Sequence, residues 1–156
     1  MTDIRPFLWF NDTAREAATR YLEVFDDAEL LSGSLERPDG ESGPTWSTTE
    51  IRLGGLRLML FDAGPEFPFT EAVSLFVPCE TQEEVDRLWD ALCEGGEPGR
   101  CGWLTDRFGV SWQIVPTILA EVLGDPDPAK AGAARAAMMT MSKLVIADLL
   151  AARDSA

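Results

Sequence analysis

The sequence predicts an α+β fold in which two similar β-α-β-β(-β) modules form a curved mixed sheet around a cavity, followed by a helical C-terminal tail. Three observations support this prediction. The spacing of apolar residues changes from strand-like to helical in each half of the chain. Each helical segment starts with a capping-box pattern. The second half also matches the first at an offset of 67 positions, as expected of a structural repeat.

We therefore expect a single domain over residues 1–156, with module one at about 1–61, module two at about 72–116 and the tail at 117–156.

The first module opens with a strand and a helix. Ile4 to Phe10 is a short apolar and aromatic run that Asn11-Asp12 closes, which is typical of a strand. Helical spacing then takes over, with apolar residues at Ala14, Ala17, Ala18, Tyr21, Leu22 and Phe25. Thr13 and Glu16 have the capping-box spacing, in which each side chain satisfies a free backbone donor.

Three further strands complete the first module. They are predicted at Ala28 to Leu35, Thr45 to Leu53 and Leu56 to Phe61. The segment from Arg37 to Pro44 has turn chemistry throughout. Gly54-Gly55 predicts a two-residue hairpin, because glycine adopts positive φ at no steric cost.

The second module repeats this order. A strand is predicted from Ala72 to Val77, and a helix follows with Thr81 and Glu84 as its capping box. Gly95-Gly96 ends that helix. Its apolar stripe consists of Val85, Leu88, Trp89, Leu92 and Cys93. A hairpin is predicted around Asp106 to Gly109, with strands at Cys101 to Thr105 and Val110 to Val115.

The tail after Pro116 is predicted to be helical. Asp125 to Pro128 interrupts it, with Asp127 as an N-cap. Ala129 to Met141 and Leu144 to Ala152 are rich in Ala, Met and Leu, so we expect them to pack in the core or in a homodimer interface.

The composition limits the classes of partner. Of the 156 residues, 46% are apolar, which is enough to bury a core. There are 27 acidic and 13 basic residues, and no basic patch offsets the net charge of −14, so a nucleic-acid partner is not expected. No apolar stretch approaches the ~18 residues of a membrane span, and no signal-peptide pattern is visible.

The cysteines and the missing histidines bear on location and chemistry. Cys79, Cys93 and Cys101 are an odd number without C-x-x-C spacing, which is typical of reduced thiols, so we expect a cytoplasmic protein. The sequence contains no His. That removes the usual proton carrier near neutral pH and the commonest imidazole metal ligand.

Four segments carry a resemblance to a known family. They are Pro6 to Phe10, Gly64 to Phe67, Cys79 to Asp86 and, above all, Cys101 to Pro116. Together they resemble the PhnB-like branch of the vicinal oxygen chelate (glyoxalase/bleomycin resistance/dioxygenase) superfamily, whose members are often labelled 3-demethylubiquinone-9 3-methyltransferase. The resemblance covers nearly the whole chain, including the tail. It implies a glyoxalase-like fold and a bacterial protein that forms homodimers.

The resemblance also implies where a metal site would lie. Metal enzymes of the superfamily place His or Glu ligands on four cavity-facing strands, and the matching positions here are Arg5, Met59, Ala72 and Gln113. None of these is a His or a carboxylate, so we expect no metal ion. The sequence also has no Gly-x-Gly-x-Gly loop to hold a nucleotide-like cofactor, and we expect no cofactor.

Strand alternation indicates which side chains face the cavity. The helix-covered faces are expected to hold Leu8, Phe10, Ile51, Leu53, Leu58, Leu60, Val73, Leu75, Trp112 and Ile114. The opposite parity gives Arg5, Phe7, Trp9, Thr48, Glu50, Arg52, Arg57, Met59, Phe61, Ser74, Phe76, Ser111 and Gln113, with Trp46 and Trp103 as additions. Aromatic walls with a few polar groups are the usual composition of a small-molecule site.

Two function classes remain open. In the first, the cavity binds a small aromatic or amphipathic molecule, with Gln113 orienting a ligand oxygen and Trp9 and Trp103 either stacking on the ligand or filling a dimer interface. The expected ligand-binding residues are Phe7, Trp9, Thr48, Met59, Phe61, Ser74, Phe76, Trp103, Ser111 and Gln113.

In the second class, the chain is a metal-independent lyase, isomerase or transferase. Glu50 would then be a general base, with Arg5 or Arg57 stabilising charge. The simpler alternative for Glu50 is an exposed carboxylate that pairs with Arg52 or Arg57.

Overall fold

The computed structural model describes residues 2–36 and 46–156, and the chain divides into two compact units at residues 1–69 and 70–156. The described residues form two four-stranded sheets with five helices, so the predicted α+β class is confirmed. The predicted turn at 37–44 lies outside the described residues. No helix among the described residues is both long and apolar enough to cross a membrane.

The first unit has one mixed sheet and one helix. Its elements are β1 (Phe7–Phe10), α1 (Ala14–Val24), β2 (Ala28–Ser32), β3 (Ser47–Leu53) and β4 (Leu56–Asp62). The strand order is β1-β4-β3-β2, with β1 parallel to β4 and the other pairs antiparallel. Helix α1 packs on β2, β3 and β4, where Tyr21, Ile51, Leu58 and Leu60 are fully buried. The alternation predicted for β4 is therefore present.

Helix α1 starts differently from the prediction. The Thr13 side chain makes no capping hydrogen bond, and the backbone N–H of Ala14 instead donates to Asp62 Oδ1 at 2.7 Å. Asp62 ends β4 opposite Phe10, so the sheet register brings its carboxylate to the helix N-terminus, where negative charge is favourable. Burial raises the pKa of Asp62 above its ordinary value.

The second unit repeats the sheet topology. Its sheet elements are β5 (Leu75–Cys79), α2 (Gln82–Cys93), β6 (Glu97–Pro98), β7 (Trp103–Thr105) and β8 (Ser111–Pro116). The strand order is β5-β8-β7-β6, and β5 is parallel to β8. The predicted cap of α2 is confirmed, because Thr81 Oγ1 accepts a hydrogen bond from the N–H of Glu84 at 3.2 Å.

Some strands of this unit differ in their bounds from the prediction, and β7 begins at Trp103 rather than at Cys101. The strand predicted from Ala72 begins only at Leu75, and Val73 is exposed because the chain turns there, with its N–H donating to Thr70 O. Strand β6 was not predicted, since two residues ending in proline carry no periodic signal.

The tail folds as α3 (Ile118–Leu123), α4 (Pro128–Met138) and α5 (Ile146–Asp154). Val122, Ala134 and Leu149 form a small buried core, and partly buried residues pack around it, namely Ile118, Leu119, Leu123, Met138, Met141 and Leu150. The tail therefore uses much of its apolar surface on itself.

Hydrogen bonds attach the tail to the rest of the second unit. The N–H groups of Cys101 and Gly102 donate to the carbonyls of Met141 and Ser142, each at 2.8 Å. The Gln82 side chain accepts a hydrogen bond from the N–H of Ile146 at 2.8 Å.

Candidate functional site

Each sheet has one face packed against its helix, and the predicted site residues lie on the opposite face, which we call the site face. On the first sheet, the register aligns these residues in two rows. The first row contains Phe7, Met59 and Glu50, and the second contains Trp9, Phe61 and Thr48. The register therefore places these six residues on one face of the sheet, the face that strand alternation predicts for them.

Five aromatic side chains of the first unit form what we call the aromatic cluster: Phe7, Trp9, Trp46, Phe61 and Phe67. The ring centroid of Phe61 lies 5.2 Å from that of Phe7, 5.0 Å from that of Trp9 and 5.9 Å from that of Trp46. Trp9 also contacts Phe67 edge to face at 5.0 Å, and its Nε1 donates to the carbonyl of Gly64 at 2.9 Å.

The cluster is partly open to solvent. Phe7 is 52% exposed, Phe67 is 64% exposed and Trp46 is 79% exposed. Phe67 was missed by the sequence reasoning because it lies in the loop after β4, where no strand alternation assigns it to a face. The available signals were an aromatic residue in a proline-containing connection and the place of Phe67 in one of the segments that resemble the family.

Next to the aromatic cluster lies an ion-pair cluster of Asp3, Arg5, Glu50 and Arg57. Glu50 is 8% exposed, and its Oε1 accepts from Arg5 at 2.6 Å and from Arg57 Nε at 2.9 Å. The exposed Asp3 accepts from Arg5 Nε at 2.8 Å and from Arg57 at 3.1 Å. Its hydrogen bond with Arg5 lowers the pKa of Asp3 and raises that of Arg5.

This arrangement decides between the two pairings expected for Glu50. Arg57 is its partner, whereas Arg52 pairs with Glu29 at 2.7 Å. Arg5 is a second partner, and the carboxylate is buried rather than exposed. Glu50 therefore joins two cations at the centre of the site face.

The site face of the second sheet is more polar. The register aligns Phe76, Gln113 and Trp103 in one row. Gln113 Nε2 donates to Ser74 Oγ at 2.9 Å, which fixes the orientation of the amide. Ser111 lies two residues before Gln113 on β8 and is buried.

The positions implied for a metal site do not fit a divalent cation. Arg5 carries a positive charge and is held in ion pairs, Met59 offers a thioether, and Ala72 has no donor and lies outside any strand. The fourth, Gln113, offers one neutral amide oxygen. Hard cations need several converging oxygen ligands. Among residues 2–36 and 46–156, no group of three or more His, Cys, Asp or Glu could hold a metal ion.

Cys79 and Cys93 are poor candidates for nucleophiles. All three are free thiols, and burial raises the pKa of Cys79 to about 11. Burial also raises the pKa of Cys93. Because the thiolate is the reactive form, Cys79 is almost entirely protonated at neutral pH.

Comparisons with known proteins agree on one family. Residues 2–115 match the family model described as 3-demethylubiquinone-9 3-methyltransferase. A solved structure described as a putative 3-demethylubiquinone-9 3-methyltransferase, a PhnB protein from Bacillus cereus, is 33% identical with a TM-score of 0.65, over 74% of this chain and 100% of that chain. No protein among the curated ones matches.

Two other solved structures extend the comparison. A protein from Pseudomonas aeruginosa is 27% identical with a TM-score of 0.58, over 74% of this chain and 98% of that chain. The fosfomycin resistance protein FosX from Listeria monocytogenes, in complex with Mn(II) and sulfate, is 15% identical with a TM-score of 0.53, over 78% of this chain and 94% of that chain. At this identity FosX shows the shared fold alone. The matched family residues end at Val115, so the helical tail lies beyond them.

Proposed function

Since the chain belongs to the 3-demethylubiquinone-9 3-methyltransferase family, in the PhnB-like branch of the vicinal oxygen chelate superfamily, we propose that it binds a small aromatic or amphipathic molecule without a metal ion. The observation that carries this proposal is the aromatic cluster on the site face of the first sheet. Exposed apolar patches of this kind mark binding surfaces more often than they serve folding.

The aromatic cluster is already arranged for stacking on a ligand. Trp9 is held by its hydrogen bond to Gly64 and by edge contacts with Phe61 and Phe67. An aromatic pair contributes about 0.5–1.5 kcal/mol beyond its buried area. Because the rings are held before binding, little side-chain entropy is lost when a ligand arrives. Met59 and Thr48 complete this surface in our proposal.

On the second sheet we assign ligand contacts to Gln113, Ser74 and Ser111, with Phe76 and Trp103 beside them. Gln113 has one amide hydrogen committed to Ser74, so its remaining N–H and its carbonyl oxygen are the groups a ligand would meet. A neutral amide in a fixed orientation selects a polar ligand atom at a low desolvation cost.

Binding is favoured over catalysis by the state of Glu50. Glu50 Oε1 accepts hydrogen bonds from Arg5 and from Arg57, and the carboxylate is buried between the two guanidinium groups. This carboxylate therefore already serves to hold the ion-pair cluster together. Methyl transfer, which the family description names, is not part of the proposal, because the sequence lacks a Gly-x-Gly-x-Gly loop for a nucleotide-like methyl donor.

The test uses the neutral fluorescent probe N-phenyl-1-naphthylamine. We expect binding to the wild-type protein and at least about a tenfold weaker affinity in Phe61→Ala, which corresponds to about 1.4 kcal/mol. Leu56→Ala removes an exposed apolar side chain from the hairpin and is the matched control. The proposal would be contradicted if the wild type and Phe61→Ala bound the probe with equal affinity while circular dichroism showed that Phe61→Ala and Leu56→Ala are folded. Mass spectrometry of small molecules released on denaturing the purified protein would identify a ligand that was retained.

We also propose that the chain forms a homodimer in the cytoplasm. The exposed side chains of Val73 and of Met139 in the tail, which the proposed ligand surface does not use, support an interface between copies, and the three free thiols suit a reducing compartment. Sedimentation should then give about twice the chain mass of 17.1 kDa. A monomer at micromolar concentration would contradict the dimer.

A further inference from the structure

The ion-pair cluster contains two arginines and two carboxylates, and the two carboxylates differ in burial and in the part of the chain that carries them. Glu50 lies on β3, between β2 and β4 in the sheet, and is buried. Asp3 lies in the irregular segment before β1, and its side chain is 48% exposed. Glu50 therefore belongs to the fixed part of the sheet, whereas Asp3 can leave without disturbing any strand.

The charges balance only when Asp3 is in place. Arg5 and Arg57 carry two positive charges, and Glu50 neutralises one of them. Asp3 Oδ2 contacts both guanidinium groups and neutralises the other. When Asp3 leaves, the cluster has a surplus of one positive charge, although the net charge of the whole chain is −14. Without Asp3, the two arginines would present a fork suited to a carboxylate, sulfonate or phosphate group.

The arginines are in line with the aromatic cluster. Alternate residues of a strand share a face, so β4 presents Arg57, Met59 and Phe61 in succession. At about 3.3 Å per residue, the backbone positions of Arg57 and Phe61 are about 13 Å apart. Arg5 lies near the same end of β4 as Arg57. The reason is that the carbonyl of the next residue, Pro6, accepts a hydrogen bond from the N–H of Met59 at 3.0 Å.

We propose that Arg5 and Arg57 bind the anionic group of an amphipathic ligand whose apolar body lies on the aromatic cluster, and that Asp3 occupies the place of that group in the free protein. This inference rests on the proposed binding function and names its ligand class, a small amphipathic anion. Displacing Asp3 breaks two exposed ion pairs, with Arg5 and with Arg57, which are weak because water screens them, and the ligand restores the same hydrogen bonds. The side chain of Asp3 is thus an internal competitor of the ligand.

The experiment compares two probes with the same ring system. The anionic probe 8-anilino-1-naphthalenesulfonate carries a sulfonate that the neutral N-phenyl-1-naphthylamine lacks. We expect Asp3→Asn to bind the anionic probe three- to tenfold more tightly and the neutral probe unchanged. Arg57→Gln should bind the anionic probe at least tenfold more weakly, again with little change for the neutral probe.

Controls separate local from general charge effects. Arg20→Gln removes the same charge from α1, where Arg20 pairs with Glu23, and should leave both affinities unchanged. Asp3 is exposed and outside regular structure, so Asp3→Asn tests the proposal even if Arg57→Gln unfolds. Thermal unfolding of each variant shows which titrations report on folded protein.

The outcomes distinguish this inference from the function it rests on. If neither probe binds the wild type, the proposed function fails. If the neutral probe binds but neither Asp3→Asn nor Arg57→Gln changes the affinity of the anionic probe, the proposed function stands and the anion site is overturned. If only Arg57→Gln has the expected effect, the role of Asp3 as a competitor is overturned.

Discussion

The two units of this chain share one order of strands and helix, but they hold their elements together in different ways. In the first unit, Asp62 at the end of β4 caps α1 from 48 positions away in sequence. In the second, Thr81 caps α2 locally. A repeat of elements therefore does not imply a repeat of the residues that stabilise them.

The two hairpins also differ, but here the buried aspartate lies in the second unit. Gly54-Gly55 joins β3 and β4 with no buried side chain in the turn, and the side chain of Arg52, which is partly exposed, donates to the carbonyl of Gly54 at 2.9 Å. Between β7 and β8, the buried carboxylate of Asp106 accepts hydrogen bonds from the N–H groups of Phe108 and Val110 and from Trp112 Nε1, at 2.9, 3.0 and 2.8 Å. A buried aspartate therefore holds a junction in each unit, the helix start in the first and the hairpin in the second.

The largest effect is expected at the hairpin of the second unit. Asp106→Ala removes an acceptor that three donors share, and each buried unsatisfied donor costs about 1–3 kcal/mol. Because the N–H of Phe108 is only partly buried, we expect a loss near the lower end, about 3–4 kcal/mol in the free energy of unfolding. Gly55→Ala in the other hairpin adds a Cβ that meets no atom within 4 Å, and should change the stability by less than about 0.5 kcal/mol. Urea unfolding measures both. Similar losses in the two variants would show that the hairpins are not held differently.

The next effect compares the two helix caps. Asp62→Ala removes the acceptor of the buried N–H of Ala14, and we expect a loss of about 2 kcal/mol. Thr81→Ala removes an exposed cap and should cost about 1 kcal/mol, the usual value for a capping side chain. Thr13→Ala serves as the control, since Thr13 makes no capping hydrogen bond, and should have the smallest effect of the three. A larger loss in Thr13→Ala than in Asp62→Ala would mean that α1 is capped locally after all.

The sequence predicts features that depend on local spacing and misses those that depend on residues far apart in the chain. Periodicity gave α1, α2 and the buried faces of β1, β3, β4 and β8, because spacing is a local property of the chain. The Asp62 cap and the joining of Arg5 to Glu50 connect residues 48 and 45 positions apart, and no local pattern reports such pairs. Phe67 was missed for a related reason, since loops have no periodicity.

The smallest effect, a dependence on pH, tests the Asp62 cap most specifically. In the folded protein, burial raises the pKa of Asp62 above its ordinary value of 3.8. In the unfolded chain, where the carboxyl is in water, we expect the ordinary pKa. The folded protein therefore binds the proton of the Asp62 carboxyl more tightly than the unfolded chain does. The stabilisation that comes from this proton is fully present at low pH and is lost as the pH rises through the folded pKa.

Asp62→Asn removes that titration but keeps an oxygen that can accept from Ala14. We expect the stability of the wild type relative to Asp62→Asn to increase as the pH falls from 7 towards about 4, in urea unfolding at several pH values. Asp3, Asp86 and Asp154 have lowered pKa values and act in the opposite direction. Because they titrate equally in both proteins, their effects cancel in the difference. A difference that does not depend on pH, or that decreases towards low pH, would show that the Asp62 carboxyl is not held in the buried position that joins β4 to α1.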